Sequence, residues 1–205
     1  MKTDLKKEIP TYAARHGRVD VVEVPPLQYL MVDGHGDPNT APAYADALAS
    51  LYPLAYALKF LSKDALDRDY TVMPLEALWW ADDMDAFTTA RDKSRWDWTL
   101  LNVVPGWITA EHVAQARATV LRKGGAPRLD DLRLERYDEG LCVQTLHVGP
   151  YDDEAPVLDA LHHEFLPAHG LRRTGKHHEV YLSDARRTAP EKLRTILRQP
   201  VERVA

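Results

Sequence analysis

Apolar and polar positions along the chain follow two rhythms, one of period two in short runs and one of three to four in longer ones. Val19–Val24 and Leu27–Val32 (LQYLMV) are β-branched or apolar runs split by Pro25-Pro26, and both read as strands. Asp33–Asn39 (DGHGDPN) is dense turn chemistry. Pro42 then opens a helix, Ala43–Leu61, in which Ala47, Leu48, Leu51, Leu54, Ala55, Leu58 and Leu61 recur at helical spacing. Pro53 inside that pattern predicts a kink or a short break. Val72–Ala81 (VMPLEALWWA) and Trp96–Val104 (WDWTLLNVV) read as strands, with an acidic turn at Asp82–Asp85 between them. Thr109 caps a second helix, charged at its ends by Glu111 and by Arg122 and Lys123 and stopped at Gly124-Gly125. Leu132–Tyr137 and Leu141–Val148 read as a hairpin around Asp138–Gly140. A third helix spans Ala155–His169, a strand Lys176–Asp184, and a short helix Pro190–Leu197, while residues 1–18 form a polar arm laid over the surface.

The strand Lys176–Asp184 (KHHEVYLSD) carries a carboxylate in a setting suited to a core. Strand alternation puts His177, Glu179 and Tyr181 on one face and His178, Val180 and Leu182 on the other. Such a glutamate either faces water or is paired, hydrogen-bonded or turned to a cavity. An internal repeat supplies the cavity. Gln28–Val32 (QYLMV) matches Gln144–Val148 (QTLHV), Asp46-Ala47-Leu48 matches Asp159-Ala160-Leu161, and Glu76–Trp79 matches Glu179–Leu182. The order strand–helix–strand–strand occurs twice, over about residues 19–104 and 105–205. Two such halves about a pseudo-two-fold axis leave a cleft between them for a small molecule, with Glu76 and Glu179 expected to point into it.

Composition narrows the choice. A chain of 205 residues, 45% hydrophobic and 28% charged, has enough core to fold without staples. A net charge of −5 argues against a nucleic-acid partner, and the basic residues from Arg186 to Arg203 read as a solvated helix face. The single cysteine, Cys142, excludes an internal disulfide and fits the cytoplasm; no run is long and apolar enough for a membrane span. A monomer or weak homodimer is expected.

All five tryptophans, Trp79, Trp80, Trp96, Trp98 and Trp107, lie within one third of the chain. Core filling accounts for them, yet neighbours Trp79 and Trp80 must face opposite sides of a strand, so one of them is available to a pocket. An aromatic wall beside a carboxylate suits flat or cationic ligands. Tyr181, two residues beyond Glu179, aims its hydroxyl into the same space. The triplet HHE occurs at His162–Glu164 and at His177–Glu179, but neither has metal-ligand spacing, so no metal is expected. No nucleotide-binding glycine motif and no nucleophile elbow is present, so no cofactor is expected.

The motifs VDGHGDPN, LEALWW, HVGPYDDE and GKHHEVYLSDARRTAPEKLRTILRQPV together resemble the GyrI-like small-molecule-binding proteins, in particular their stand-alone branch without a DNA-binding region. The resemblance implies one α+β domain over residues 1–205, a duplicated SHS2-type fold with antiparallel sheets and a ligand cleft between its halves. It implies that Glu179 and Tyr181 in HHEVYL are an acid–base pair, that Tyr151 in GPYD lines the pocket, and that Trp79 or Trp80 in LWW forms its wall. Glu76, Trp107 and His147 complete the expected ligand-binding set. Relatives of this type either hydrolyse cyclopropane-bearing genotoxins or sense drugs without chemistry, and the residues are compatible with both roles.

Overall fold

The β-branched and aromatic runs assemble into one antiparallel sheet in the computed structural model, which describes residues 2–82 and 92–204. Among these residues the strands are β1 (Asp20–Val24), β2 (Leu27–His35), β3 (Glu76–Trp80), β4 (Asp97–Val103), β5 (Arg133–Tyr137), β6 (Gly140–Val148), β7 (Leu171–Arg173), β8 (His177–Tyr181) and β9 (Arg194–Arg203). Their spatial order is β1-β6-β9-β8-β3-β4-β2-β5, with β7 added on β9. The helices are α1 (Leu5–Glu8), α2 (Pro42–Ala65), α3 (Ala110–Arg122), α4 (Ala155–Ala160) and α5 (Leu166–Ala168), which gives a mixed α+β fold. Connectivity is symmetric about the β8–β3 seam, where β3, β4 and β2 on one side take the places of β8, β9 and β6 on the other. The expected acidic turn lies, beyond Asp82, outside the described residues.

The sheet is buried on both faces. On one, α2 lays its apolar stripe of Ala47, Leu51, Leu54, Ala55 and Leu58 on Leu30, Val32, Ala77, Trp79, Trp98 and Leu100. Each of those leucines contributes roughly 1.5–3 kcal/mol by leaving water. Gly34 pairs with Trp98 across β2 and β4, and a Cβ there would overlap the indole. The second face carries Tyr29, Met31, Leu78, Leu101, Val180 and Ile196, covered by Tyr12 from the N-terminal arm.

α2 runs through Pro53 as one helix, so no break forms there. Three expected elements differ. The arm is more than a surface strap, since Thr11 and Tyr12 are buried. β5 and β6 do not pair as a hairpin: β5 adds to β2, and β6 lies between β1 and β9. The connection is a crossing point anchored by the buried carboxylate of Glu139, which binds His178 and Arg198. The C-terminal helix is instead a 3-10 turn, Pro190–Lys192, followed by β9. β9 is a central strand with Thr195 to Val201 buried, so its apolar and polar residues show no clean alternation.

The β8 register decides which way the carboxylates point. Glu76 pairs with Val180 and Ala77 with Glu179, and residues directly opposite share a face. Glu76 and Glu179 therefore project from opposite sides of the sheet, which corrects the expectation that both enter one cleft.

Candidate functional site

Glu179 faces the α2 side of the sheet, where a cavity of about 950 Å³ opens between the β3–β8 seam, α2 and the turn before α4. Its aromatic wall includes Tyr44, Tyr52, Trp79, Trp96, Tyr151 and Tyr181. Tyr44 stacks on Trp79 at 6.1 Å between ring centroids, Trp96 meets Trp79 edge-on at 5.6 Å, and Tyr151 meets Tyr181 edge-on at 5.5 Å. Of the carboxylates that line the same space, Glu154 and Glu179 are the buried ones, at 5% and 8% exposed. Concave, mostly aromatic walls with a few fixed polar groups are the general form of a small-molecule site.

A chain of hydrogen bonds runs along the cavity floor. The Trp79 indole Nε1 donates to Tyr181 Oη at 3.2 Å, and Tyr181 Oη donates to Glu179 Oε2 at 2.6 Å. His177 Nε2 lies 3.4 Å from the other oxygen, Glu179 Oε1. Burial first, and then the charge of Glu179, push the Tyr181 phenol well above its ordinary range. Tyr151 is raised to about 12 by burial, then by Glu154 and Glu179, and Tyr44 is raised by burial and Glu179. The three phenols are thus neutral near a carboxylate, and Tyr181 is the one that donates to it.

The expected site residues divide by face. Glu179, Tyr181, Trp79 and Tyr151 line the cavity. Trp80, next to Trp79, points to the other side and carries the Lys176 ammonium 3.2 Å above its ring. Trp107 braces α2, donating from Nε1 to Ser62 Oγ at 3.0 Å. His147 is buried and donates from Nε2 to the Pro150 carbonyl at 2.9 Å, so it fixes the turn that carries Tyr151. Tyr44, Trp96 and Glu154 were not among the expected site residues. Tyr44 sits in the first turn of α2, Trp96 just before β4 and Glu154 just before α4, places where side chains commonly meet a cleft.

Glu76 belongs to a buried ionic cluster on the opposite face. It accepts hydrogen bonds from Tyr12 and from His178 Nε2, the latter at 3.0 Å. His178 Nδ1 donates to Glu139 Oε1 at 2.9 Å, and Arg198 Nη1 donates to Glu139 Oε2 at 2.9 Å. Arg198 also reaches Gln144 Oε1 and the Thr11 carbonyl. Burial alone would lower His178, but Glu139 and Glu76 lift it to about 9. Burial alone would raise Glu139, but His178 and Arg198 hold it down at about 2. With His178 protonated, two carboxylates face two cations, which is what allows ions to be buried at all.

Comparisons with known proteins agree with this geometry. The family described as GyrI-like small molecule binding domain matches residues 18–202. An uncharacterized conserved protein from Listeria innocua is 38% identical, with a TM-score of 0.89 over 98% of this chain and 100% of that one. A structure described as a hydrolase from Listeria innocua is 37% identical, with a TM-score of 0.84 over the same 98% and 100%. The EcmrR C-terminal domain shares the fold at 12% identity, with a TM-score of 0.60 over 91% of this chain and 98% of that one. No curated protein matches by sequence.

Proposed function

The chain belongs to the GyrI-like small-molecule-binding family, and from that premise we propose that it hydrolyses planar electrophiles in which a strained cyclopropane is conjugated to a dienone. Such compounds alkylate DNA, so their hydrolysis protects the cell. The observation that carries this reading is the Trp79–Tyr181–Glu179 hydrogen-bonded chain at the floor of an aromatic cavity. A Listeria innocua relative at 37% identity described as a hydrolase supports it.

The chemistry balances within the pair. Glu179 accepts a proton from water as the water oxygen bonds to the cyclopropane methylene. The strained carbon–carbon bond breaks, and its electrons move through the dienone to the carbonyl oxygen as the ring becomes a phenol. Tyr181 gives its proton to that oxygen, and the proton on Glu179 then restores Tyr181 across their 2.6 Å contact. No outside acid or base is required. Aromatisation and ring-strain release drive the step, so the protein's work is to orient the water and to stabilise the developing oxyanion. Tyr44, Trp79 and Trp96 supply the flat walls on which the ligand stacks.

The test is incubation with a cyclopropanoid dienone followed by mass spectrometry. A product heavier by one water supports hydrolysis. Unchanged ligand that quenches tryptophan fluorescence overturns it in favour of a non-catalytic binding or effector-sensing role.

A further inference from the structure

Catalysis by a carboxylate depends on where its oxygens are held, and Tyr181 holds only one oxygen of Glu179. We infer that His177 is a positioning residue for Glu179, holding Oε1 while Tyr181 holds Oε2. The inference rests on the reading of Glu179 as the working carboxylate of the cavity.

His177 precedes Glu179 by two residues on the same face of β8, and its Nε2 is 3.4 Å from Oε1, a close polar approach that lies outside hydrogen-bond geometry and so acts through charge and proximity. Its side chain is only 1% exposed and does not line the cavity, so it meets Glu179 from the protein side and not from the ligand side. It pairs across the sheet with Trp79, the indole that also holds Tyr181. His162 is near enough to His177 to be influenced by it: burial first, and then His177, bring His162 down to about 3, so it stays a neutral ring.

His162 itself sits in an unusual turn. Between α4 and α5 the helix widens into a π-turn, Leu161–Phe165. Pro167 explains it: the residue lacks an N–H, and its ring crowds the carbonyl four residues earlier, so the preceding turn opens. His177 thus has Trp79 opposite it on the neighbouring strand and His162 nearby. Each carboxylate oxygen keeps a second lone pair, so holding both leaves Glu179 able to accept a proton from water.

The experiment compares His177→Leu, His177→Gln and wild type, with Glu179→Gln to assign the Glu179 side-chain carboxyl carbon by ¹³C NMR. Glutamine restores a nitrogen donor near the Nε2 position, and leucine removes it. In the ligand-free protein the Glu179 resonance moves in His177→Leu and returns towards its wild-type position in His177→Gln. In turnover of the cyclopropanoid dienone, His177→Leu lowers kcat by about ten- to a hundredfold with a much smaller change in KM, and His177→Gln recovers most of the loss. If His177→Leu does not fold, as judged by its melting curve, His177→Asn replaces it, since its amide is too short to reach Oε1. An unmoved resonance overturns the inference whatever the turnover. A moved resonance in a protein whose wild type adds no water supports the contact and overturns the proposed reaction instead. A moved resonance with full turnover in His177→Leu overturns the catalytic part of the role.

Discussion

Replacing Glu139 by glutamine removes the charge that both buried cations of the second face rely on, and its cost depends on pH in a way that identifies the partner. Glu139 binds His178 at 2.9 Å and Arg198 at 2.9 Å, all three side chains at 1% exposure or less. The lift of His178 from 6.5 to about 9 corresponds to roughly 3 kcal/mol of stabilisation. The fall of Glu139 from 4.5 to about 2 is largely the same contact seen from its partner, so the two are not added. Because the folded value of His178 is raised, its stabilisation is fully present below pH 6.5 and is lost as pH rises towards 9. Because the folded value of Glu139 is depressed, its stabilisation is present above pH 4.5 and is lost as pH falls towards 2. His162, lowered to about 3 by burial and then by His177, acts only on the acid side. Glu139→Gln is therefore expected to cost about 3–5 kcal/mol near pH 6, the range for breaking a buried ion pair, and less towards pH 9. Urea unfolding followed by tryptophan fluorescence across this range measures both curves. A wild-type stability that is flat between pH 6.5 and 9, or a variant with the wild-type slope, would falsify the assignment.

Three further outcomes are expected. Glu179→Gln should lower water addition to the cyclopropanoid dienone by roughly 10²–10⁴-fold and Tyr181→Phe by roughly 10²–10³-fold, as read by product formation; full turnover in either removes that residue from the mechanism. Ligand quenching of fluorescence should fall in Trp79→Phe and Trp96→Phe but persist in Trp80→Phe and Trp107→Phe, because only the first two line the cavity; the reverse pattern would place the ligand elsewhere. Gly34→Ala should destabilise the fold by about 1–3 kcal/mol, since its methyl group meets the fully buried Trp98 ring; an unchanged urea midpoint would show that β2 and β4 yield there.

The strand carrying the candidate site was legible in the sequence, but its surroundings were only partly so. Period two alone groups His177, Glu179 and Tyr181, and the structure keeps them together on one face. The same period puts His178 on the other face, but nothing local shows that the other face is an ionic core. That core draws Tyr12, Glu76, Glu139, Gln144 and Arg198 from five separate segments. The match between Glu76 and Glu179 aligns positions in a motif, whereas the direction of a side chain is set by the register of paired strands, and Glu76 falls opposite Val180. Arg198 was misread for a related reason: a central strand is covered on both sides, so an arginine there leaves no alternation and resembles a helix face.

The two faces of β8 are also linked mechanically. His178 is held at both nitrogens by carboxylates from β3 and from the β5–β6 crossing. That fixes the backbone between His177 and Glu179, and with it the separation on which the His177–Glu179 contact depends. The buried cluster is therefore expected to stiffen the candidate site without touching a ligand. Loss of Glu139 should therefore lower turnover through kcat more than through KM, even at a pH where the protein remains folded. Measuring turnover of Glu139→Gln per folded molecule near neutral pH, with the folded fraction read from its urea curve, separates this from simple destabilisation, which reduces the amount of active protein and leaves turnover per folded molecule unchanged. If specific activity per folded molecule equals that of wild type, the cluster supports the fold alone and the site owes its geometry to its own face.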